Sequence, residues 1–364
     1  MIEKDLIVIG GGPAGLSAAK TALEAGCKVL IIERNFSLGG QLEKQTHKFF
    51  GSEKQFAKTR GLDIAKKLIV AINQYPNQLE VLLNTTVVGL YKDYVVTTIH
   101  NDIYKKYHAK SIIIATGASE KVLAFENNDL PGIYGAGAVQ TLMNLNGVLP
   151  GKEIVMVGSG NIGLIVSYQL IQAGVKVKAL LEASPSIGGY LVHASKLKRL
   201  GVPIFCQTTI KRAEGNQCLE KIITTKLNDS WEEIPNTTSE ITCDALCISV
   251  GLSPLHQLLS MADIKMKFVP ELGGLVPRIN KDHETSMKNV FVCGDVTGVE
   301  EASSAIVEGA LTGLIVSKQL GYIHPLFHSL YEDLHLQLDN LRSGLFGKKT
   351  RIGLIKLEEN NHAY

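Results

Sequence analysis

Three glycines near the start of the chain have the spacing of a phosphate-binding turn. Gly10, Gly12 and Gly15 follow an apolar run at residues 6–9, and apolar side chains then recur at helical intervals up to Gly26. A strand, a glycine turn and a helix in this order leave backbone N–H groups free at a helix N-terminus, where the helix dipole favours a pyrophosphate. Because a side chain at Gly12 would block the approach of that group, the stretch predicts a dinucleotide site.

A carboxylate follows this turn at the position where a ribose-binding acid is expected. The second predicted strand, residues 28–32, ends at Glu33. Dinucleotide sites carry such an acid about 20 residues after the turn, hydrogen-bonded to a ribose hydroxyl. A glycine triplet alone also fits a tight turn without any ligand. The strand, the helix and the acid together favour the dinucleotide site over that alternative.

The same pattern occurs a second time. Gly158, Gly160 and Gly163 follow an apolar run at residues 154–157, and the next predicted strand, residues 175–181, ends at Glu182. The two triplets and the two acids are separated by nearly the same interval of sequence. So long a repeat predicts two domains of one kind rather than a solenoid. No basic residue follows Glu182 directly, which favours NAD over NADP in the second site.

Two further predicted strands end in small residues that let a ligand approach the backbone. The strand at 111–114 runs into Ala-Thr-Gly at 115–117, and the strand at 290–293 runs into Gly294-Asp295. A small-residue helix predicted over 301–315 begins just beyond, and its dipole suits an oxygen that gains negative charge. The alternation of residues 79–109 predicts an antiparallel meander.

Composition limits the class of protein. The chain has 364 residues, 45% of them apolar and 20% charged, with a net charge of +2. It is long enough for two domains and lacks the charge excess of nucleic-acid-binding proteins. There is no signal pattern and no apolar run of membrane-spanning length, so we expect a cytoplasmic protein. No cysteine pair has C-x-x-C spacing, so neither a redox dithiol nor a metal site is predicted.

With these residues the chain resembles the flavoproteins that carry one FAD domain and one inserted NAD(P) domain, the group that includes thioredoxin reductase. The resemblance rests on GGGPAG at 10–15, GGQL at 39–42, ATGA at 115–118, GSGNIG at 158–163 and GD at 294–295. It implies an α/β fold with two Rossmann-like, doubly wound domains. The FAD domain is split into 1–120 and 256–325, the NAD domain is 121–255, and 326–364 form a C-terminal helix and tail.

The resemblance also implies which residues contact each nucleotide. For FAD these are Gly10, Gly12, Pro13, Ala14, Gly15, Glu33, Arg34, Gly40, Gln41, Val87, Ala115, Thr116, Gly117 and Asp295. For NAD they are Gly158, Gly160, Asn161, Ile162, Gly163 and Glu182. Asp295 is expected at the ribityl chain, the backbone near Val87 at the adenine, and Gln41 toward the flavin. No catalytic residue is assigned, although His47 is a candidate base near the flavin.

A narrower likeness concerns residues 130–152 and 294–313. These segments resemble the FAD subunits of multisubunit amino-acid and amine dehydrogenases, such as dye-linked proline dehydrogenase, opine oxidase, sarcosine oxidase and hydrogen cyanide synthase. Disulfide reductases carry cysteine pairs at two places that lack them here, so disulfide reduction is not expected. The likeness implies a partner subunit or electron carrier and leaves open which chain oxidises the amine.

Three functions therefore remain open. The first is an FAD-dependent oxidoreductase that passes electrons between a nicotinamide cofactor, or a small amine or amino acid, and a partner acceptor. The second is an NAD(P)H-dependent reductase of ferredoxin or another small carrier, and the third is a non-catalytic flavoprotein subunit. A leucine stripe at 330, 334, 338 and 341 either packs on its own domain or forms an interface with another protein.

Overall fold

The computed structural model of the chain describes residues 1–344 and 347–358. Its strands are β1 Ile2–Ile9, β2 Val29–Ile32, β3 Leu79–Leu82, β4 Thr86–Leu90, β5 Val95–His100, β6 Ile103–Ile114, β7 Ala118–Glu120, β8 Ile133–Gly135, β9 Glu153–Val157, β10 Lys176–Leu181, β11 Ile204–Phe205, β12 Thr208–Glu214, β13 Lys221–Lys226, β14 Ser239–Thr242, β15 Ala245–Ile248, β16 Leu252–Pro254, β17 Met266–Val269, β18 Gly274–Pro277 and β19 Val290–Val292. Its α-helices are α1 Pro13–Glu24, α2 Gly61–Ile72, α3 Ala136–Asn144, α4 Asn161–Gln172, α5 Leu191–Arg199, α6 Gln257–Met261, α7 Ala302–Gln319, α8 Phe327–Leu341 and α9 Lys348–Glu358. Short 3-10 helices lie at Gly40–Lys44, Glu53–Gln55 and Pro270–Leu272.

The chain divides into two compact units. One, called here the split unit, consists of residues 1–119 and the chain from Ser253 onward. The other, the inserted unit, is Glu120–Leu252. The assignment of FAD to one unit and NAD to the other, with boundaries at 120 and 256, stays a prediction.

The main sheet of the split unit has the order β3-β2-β1-β6-β5-β4, and β19 also pairs with β6. Strands β1, β2, β3 and β19 run parallel to their neighbours. Strand β6 pairs antiparallel with β5 over residues 103–108, parallel with β1 over residues 107–114 and parallel with β19 over residues 112–114. The strand predicted at 111–114 is therefore the end of one long strand.

One part of the predicted meander is wrong. Strand β3 does not belong to the antiparallel region, because it lies at the sheet edge and pairs parallel with β2. Strands β4, β5 and the first half of β6 do form the predicted antiparallel arrangement. Alternation of side chains is the same for both strand directions, so the sequence of β3 alone could not reveal its partner.

Apolar layers cover both faces of this sheet. In β1, Leu6 and Val8 belong to the apolar layer formed with α1, α2 and α7. Ile7 and Ile9 belong to a second apolar layer, which includes residues of α6. Helices α1 and α7 approach each other backbone to backbone, since a Cβ on Gly309 would lie 2.1 Å from the carbonyl oxygen of Ala14. This contact fixes the start of α1 against the first turns of α7.

The inserted unit repeats the parallel arrangement on a smaller scale. Its sheet has the order β11-β10-β9-β15-β8, and every pair in it is parallel. Helices α3, α4 and α5 cover one face. A three-stranded antiparallel sheet, β12-β13-β14, contributes to the apolar layer on the other face.

The C-terminal leucine stripe packs on its own unit. Leu334 and Leu338 of α8 are buried with Val307 and Leu311 of α7 in a separate apolar cluster. Beyond α8, Leu357 of α9 packs into the cluster of the β17-β18 hairpin. Residues 345–346 and 359–364, which fall within the predicted tail, lie outside the described residues.

Replacement of Leu334 by Ala should lower the free energy of unfolding by about 2–4 kcal/mol, because it leaves a cavity between α7 and α8. Leu336 lies on the same helix but is 58% exposed, so Leu336→Ala is the matched control and should change little. Urea unfolding of both variants measures the difference. Equal effects of the two substitutions would contradict this account of α8.

Candidate dinucleotide sites

The turn after β1 needs glycine at two of its three motif positions for reasons internal to the fold. Gly10 has φ +108°, and a Cβ there would lie 2.4 Å from the carbonyl oxygen of Ala115. A Cβ on Gly15 would lie 1.9 Å from the carbonyl oxygen of Gly10. Both distances are far below van der Waals contact, so these glycines allow the start of α1 to pack against the strand ends.

Gly12, between them, faces free space. Among residues outside its immediate neighbours and its own helix, the nearest atom to a Cβ on Gly12 would be Gly40 Cα, at 4.0 Å. Gly12 is the N-cap of α1, no side chain caps the helix, and Pro13 occupies the first turn. Ala14 and Gly15 follow in that turn and are buried. The space beside Gly12 thus adjoins a helix N-terminus and can accept a pyrophosphate.

The glycine pair at 39–40 closes this turn from the other side. The Gly39 N–H donates to the carbonyl oxygen of Gly11 at 2.8 Å. Gly40 has φ +55°, and a Cβ there would lie 2.8 Å from Gly12 Cα. Gln41 follows, exposed, in a 3-10 helix. The pair therefore brings a second stretch of backbone to the predicted pyrophosphate position.

Glu33 is held at this turn by the chain itself. Its buried carboxylate accepts hydrogen bonds from the Gly11 N–H at 2.7 Å and the Asn35 N–H at 2.9 Å. The Glu33 carbonyl oxygen accepts the Thr85 N–H at 3.0 Å, just before the strand that carries half-buried Val87. Arg34 is exposed. The acid and the segment expected at the adenine are thus neighbours, and their contact with a nucleotide stays a prediction.

The strand ends β6 and β19 also meet the glycine turn. The Ala115 N–H donates to the Ile9 carbonyl oxygen at 2.8 Å, and the Thr116 hydroxyl donates to the Leu255 carbonyl oxygen at 2.8 Å. Gly117, next to Thr116, has φ +75°. A Cβ on Gly294 would lie 2.8 Å from the Ala14 Cβ. The carboxyl ends of these parallel strands therefore converge on one edge of the sheet, the usual place for a ligand.

Asp295 follows this last turn and is half-buried. Burial raises the pKa of its carboxyl to about 7; the Glu300 N–H opposes the rise, and the negative charges of Glu308 and Glu300 add to it. The Glu300 N–H contacts one Asp295 oxygen at 3.4 Å. A carboxyl here can accept hydrogen bonds from sugar or ribityl hydroxyls.

The inserted unit builds its turn in the same way. Gly158 has φ +98°, and a Cβ there would lie 2.1 Å from the Ser249 carbonyl oxygen. A Cβ on Gly163 would lie 2.1 Å from the carbonyl oxygen of Gly158. On Gly160, the N-cap of α4, a Cβ would meet no atom within 4 Å outside its neighbours and its helix. Again the fold requires the outer two glycines and leaves the middle one open.

Glu182 occupies the position of the second acid. Its carboxylate accepts the Ser159 N–H and the Ser184 N–H, each at 2.8 Å, and the Ser159 hydroxyl. Burial raises the pKa of Glu182, but these hydrogen bonds outweigh burial and the net shift is downward. The carboxylate is therefore ionised at neutral pH. It suits a free ribose hydroxyl and repels a 2′-phosphate.

The remaining predicted residues of this site lie at the start of α4. The Asn161 side-chain oxygen accepts the Tyr190 N–H at 2.8 Å and so holds the chain just after Gly188 and Gly189. Ile162 is 40% exposed. Both adjoin the open position at Gly160. Their contact with a nucleotide stays a prediction.

His47, the candidate base, lies between the glycine pair at 39–40 and α2. Its ring stacks on Phe49, with ring centroids 5.7 Å apart. Its role as a base stays a hypothesis.

Two residues near Asp295 were missed by the sequence analysis. Glu308, in the middle of α7, is buried and accepts the Gly294 N–H at 2.8 Å. Arg342, at the C-terminus of α8, forms ion pairs with Glu308 and Glu300. The available signal for Glu308 was an acid in the middle of the predicted helix 301–315, where every other residue except Glu301 at its start is small, apolar or uncharged. No local pattern marks Arg342.

Comparison with known proteins identifies the family. Residues 4–309 match the family model described as pyridine nucleotide-disulphide oxidoreductase. The chain belongs to this family. Membership implies FAD binding and an oxidoreductase role, and it agrees with the resemblance that the sequence motifs carry.

Among curated relatives, the chain is similar to the alpha subunit of sarcosine oxidase of Corynebacterium sp. (strain P-1), with 27% identity over 338 residues, 88% of this chain and 33% of that protein. It is also similar to a subunit of opine oxidase of Agrobacterium tumefaciens (strain Ach5), with 24% identity over 85% of this chain and 64% of that protein. The chain therefore spans about a third of the first relative and less than two thirds of the second.

Among solved structures, T. acidophilum thioredoxin reductase has the same fold, with a TM-score of 0.71 and 22% identity over 88% of this chain and 99% of that one. This likeness confirms the predicted α/β fold with Rossmann-like units. Within the described residues, no helix combines the length and the apolar character needed to cross a membrane.

The stability of the protein without FAD should depend on pH through Asp295. Because folding raises the pKa of this carboxyl, the folded state binds more protons than the unfolded state between about pH 4 and pH 7. Its contribution to stability is therefore lost as pH rises through that interval. Asp295→Asn removes this titration, so wild type should lose stability relative to the variant from pH 4 to pH 7, measured by urea unfolding. A constant difference would contradict the burial of the charge.

Proposed function

We propose that the protein is an FAD-dependent oxidoreductase that passes electrons between NADH, or a small amine or amino acid, and a partner subunit or electron carrier. FAD is assigned to the split unit and NAD to the inserted unit. The single observation that carries the proposal is the open position at the middle glycine of each turn. The protein itself leaves space beside Gly12 and Gly160 that a side chain could fill, and a nucleotide pyrophosphate accounts for that space.

The residues of the split unit fit FAD. The backbone around Gly12 and Gly40 would receive the pyrophosphate, Glu33 the adenosine ribose, and Asp295 the ribityl hydroxyls. When bound, FAD supplies the hydride and electron transfer chemistry. The task of the chain is then to orient the nucleotide and exclude water, and it does so with backbone groups and buried carboxylates rather than with a nucleophile.

Cysteine chemistry is not part of the proposal. All six cysteines are free, and Cys27, Cys243, Cys247 and Cys293 are buried. Burial raises the pKa of Cys27 and of Cys243 to about 12. Thiols in that state are poor nucleophiles, which supports electron transfer by the flavin alone.

The substrate class and the partner rest on the relatives. The sarcosine oxidase and opine oxidase chains are both named as subunits, and both names refer to oxidation of small amine compounds. Since both relatives are named as subunits, we infer that electrons reach or leave the flavin of this chain through a separate subunit.

An anaerobic visible spectrum, recorded before and after addition of NADH, tests the proposal. Wild type should show a flavin band that bleaches. Gly12→Ala should weaken FAD binding by about tenfold or more, a loss of at least about 1.4 kcal/mol. Gly160→Ala should keep the flavin band and lose its bleaching by NADH. Because neither methyl group meets the protein, both variants should unfold at the wild-type temperature once FAD has been removed from all three proteins.

Other outcomes separate the alternatives. Bleaching by NADH with no response to sarcosine, proline or opines would favour a reductase of a small electron carrier. A flavin band that neither NADH nor an amine bleaches would indicate a non-catalytic subunit, or a second site that holds another adenine nucleotide. Wild-type FAD affinity in Gly12→Ala would contradict the assignment of the FAD pyrophosphate to the space beside Gly12.

The preference for NADH over NADPH should depend on the charge of Glu182. Glu182→Gln keeps the size of the side chain and removes the charge that repels a 2′-phosphate. We expect the ratio of the NADH and NADPH affinities to fall by about tenfold, or about 1.4 kcal/mol. Titration of each nucleotide against the flavin absorbance measures both affinities, and an unchanged ratio would contradict the role of Glu182.

A further inference from the structure

A buried carboxylate supports the turn that carries Asp295. One oxygen of Glu308 accepts the Gly294 N–H at 2.8 Å and the Thr297 hydroxyl at 3.2 Å. Glu308 is only 3% exposed. The geometry of the Gly294-Asp295 turn therefore depends on a charge that the fold has removed from water, which is costly unless the charge is paired.

The charge that pairs with Glu308 comes from the C-terminal segment. Arg342 caps the C-terminus of α8 and contacts the second oxygen of Glu308 through Nη2. The same guanidinium donates to Glu300 through Nη2 at 2.7 Å and through Nε at 3.1 Å. Arg342 lies beyond residue 309, where the match to the family model ends.

All three members of this triad are withdrawn from solvent. The exposed fractions of the side chains are 14% for Arg342, 11% for Glu300 and 4% for Glu308. Burial disfavours the charged form of Arg342, but the two carboxylates outweigh it and raise its pKa. His283 does not help to neutralise the acids, since burial lowers the pKa of its imidazole. Arg342 thus offsets two buried negative charges beside Asp295.

We propose that Arg342 is a positioning residue of the flavin site. It holds Glu308 beneath the Gly294-Asp295 turn and neutralises Glu308 and Glu300, so that the C-terminal helix becomes a functional part of FAD binding. The inference rests on the proposed assignment of FAD to this unit. A planar guanidinium with several donors can serve both acids at once, whereas the single ammonium of a lysine cannot reproduce that fork.

The test compares four variants with wild type. Arg342→Met removes the charge and keeps most of the side-chain volume, and Arg342→Lys keeps the charge without the fork. Arg342→Met combined with Glu308→Gln removes one charge of each sign. The matched control is Lys54→Met, which breaks an exposed ion pair between Lys54 and Asp333 on the same helix, α8.

Three measurements are made on each: FAD affinity of the apoprotein by flavin fluorescence, the midpoint potential of bound FAD, and hydrogen exchange of the peptide that contains Gly294 and Asp295. Arg342→Met should weaken FAD binding by about tenfold or more, lower the midpoint potential and speed exchange in the apoprotein. Arg342→Lys should bind FAD more tightly than Arg342→Met but more weakly than wild type. The double variant should bind FAD more tightly than Arg342→Lys. Lys54→Met should match wild type in all three.

Two results distinguish failure of this inference from failure of the proposed function. If Arg342→Met melts earlier but, below its melting temperature, binds FAD with wild-type affinity and potential, Arg342 is only structural and the inference is overturned. If wild type binds no FAD, the proposed function fails. In that case, hydrogen exchange still decides whether Arg342 positions the Gly294-Asp295 turn, and unchanged exchange in Arg342→Met would overturn that role as well.

Discussion

The candidate sites depend on one steric constraint, the absence of room for a side chain at the first and last glycines of each turn. In the split unit, the Gly10 and Gly15 positions are closed by carbonyl oxygens 2.4 and 1.9 Å from where a Cβ would lie. The backbone therefore turns directly from β1 into α1 and leaves the N-terminus of the helix beside the strand ends. Glu33 and Thr116 come shortly after β2 and β6, which pair parallel with β1 on either side. Asp295 comes shortly after β19, which pairs parallel with β6. The three side chains therefore lie at the same edge of the sheet as the turn.

The two acids have a structural role in addition to the one predicted from sequence. Glu33 accepts the N–H groups of Gly11 and Asn35. Glu182 accepts those of Ser159 and Ser184, which occupy the same positions relative to the turn and to the acid. The carboxylates are thus oriented before any nucleotide binds, which reduces the loss of side-chain entropy on binding. The same arrangement in both units explains why the acid and the glycine turn recur together in the sequence.

The sequence predicts the site where the chemistry is local and fails where it is not. A glycine turn, its strand and its helix are consecutive in the chain, so their pattern is visible in the sequence. In the structure each predicted acid lies against its turn, while the contacts with nucleotides stay predictions. The parallel pairing of β3 and the dual pairing of β6 depend on partners distant in sequence, which no periodicity records. Arg342 shows the same limit, since its contacts with Glu300 and Glu308 arise only when α8 folds back on α7.

The charge balance around Asp295 connects these observations. Asp295, Glu300 and Glu308 lie close together, and negative charges that are partly or fully withdrawn from water would oppose both folding and the addition of electrons to the proposed FAD. The leucines of α8 pack on α7 and thereby place a guanidinium against two of the three acids. Apolar packing of the C-terminal helix therefore determines the charge balance beside Asp295. In our proposal, this helix contributes to an FAD site although every sequence motif of that site precedes it.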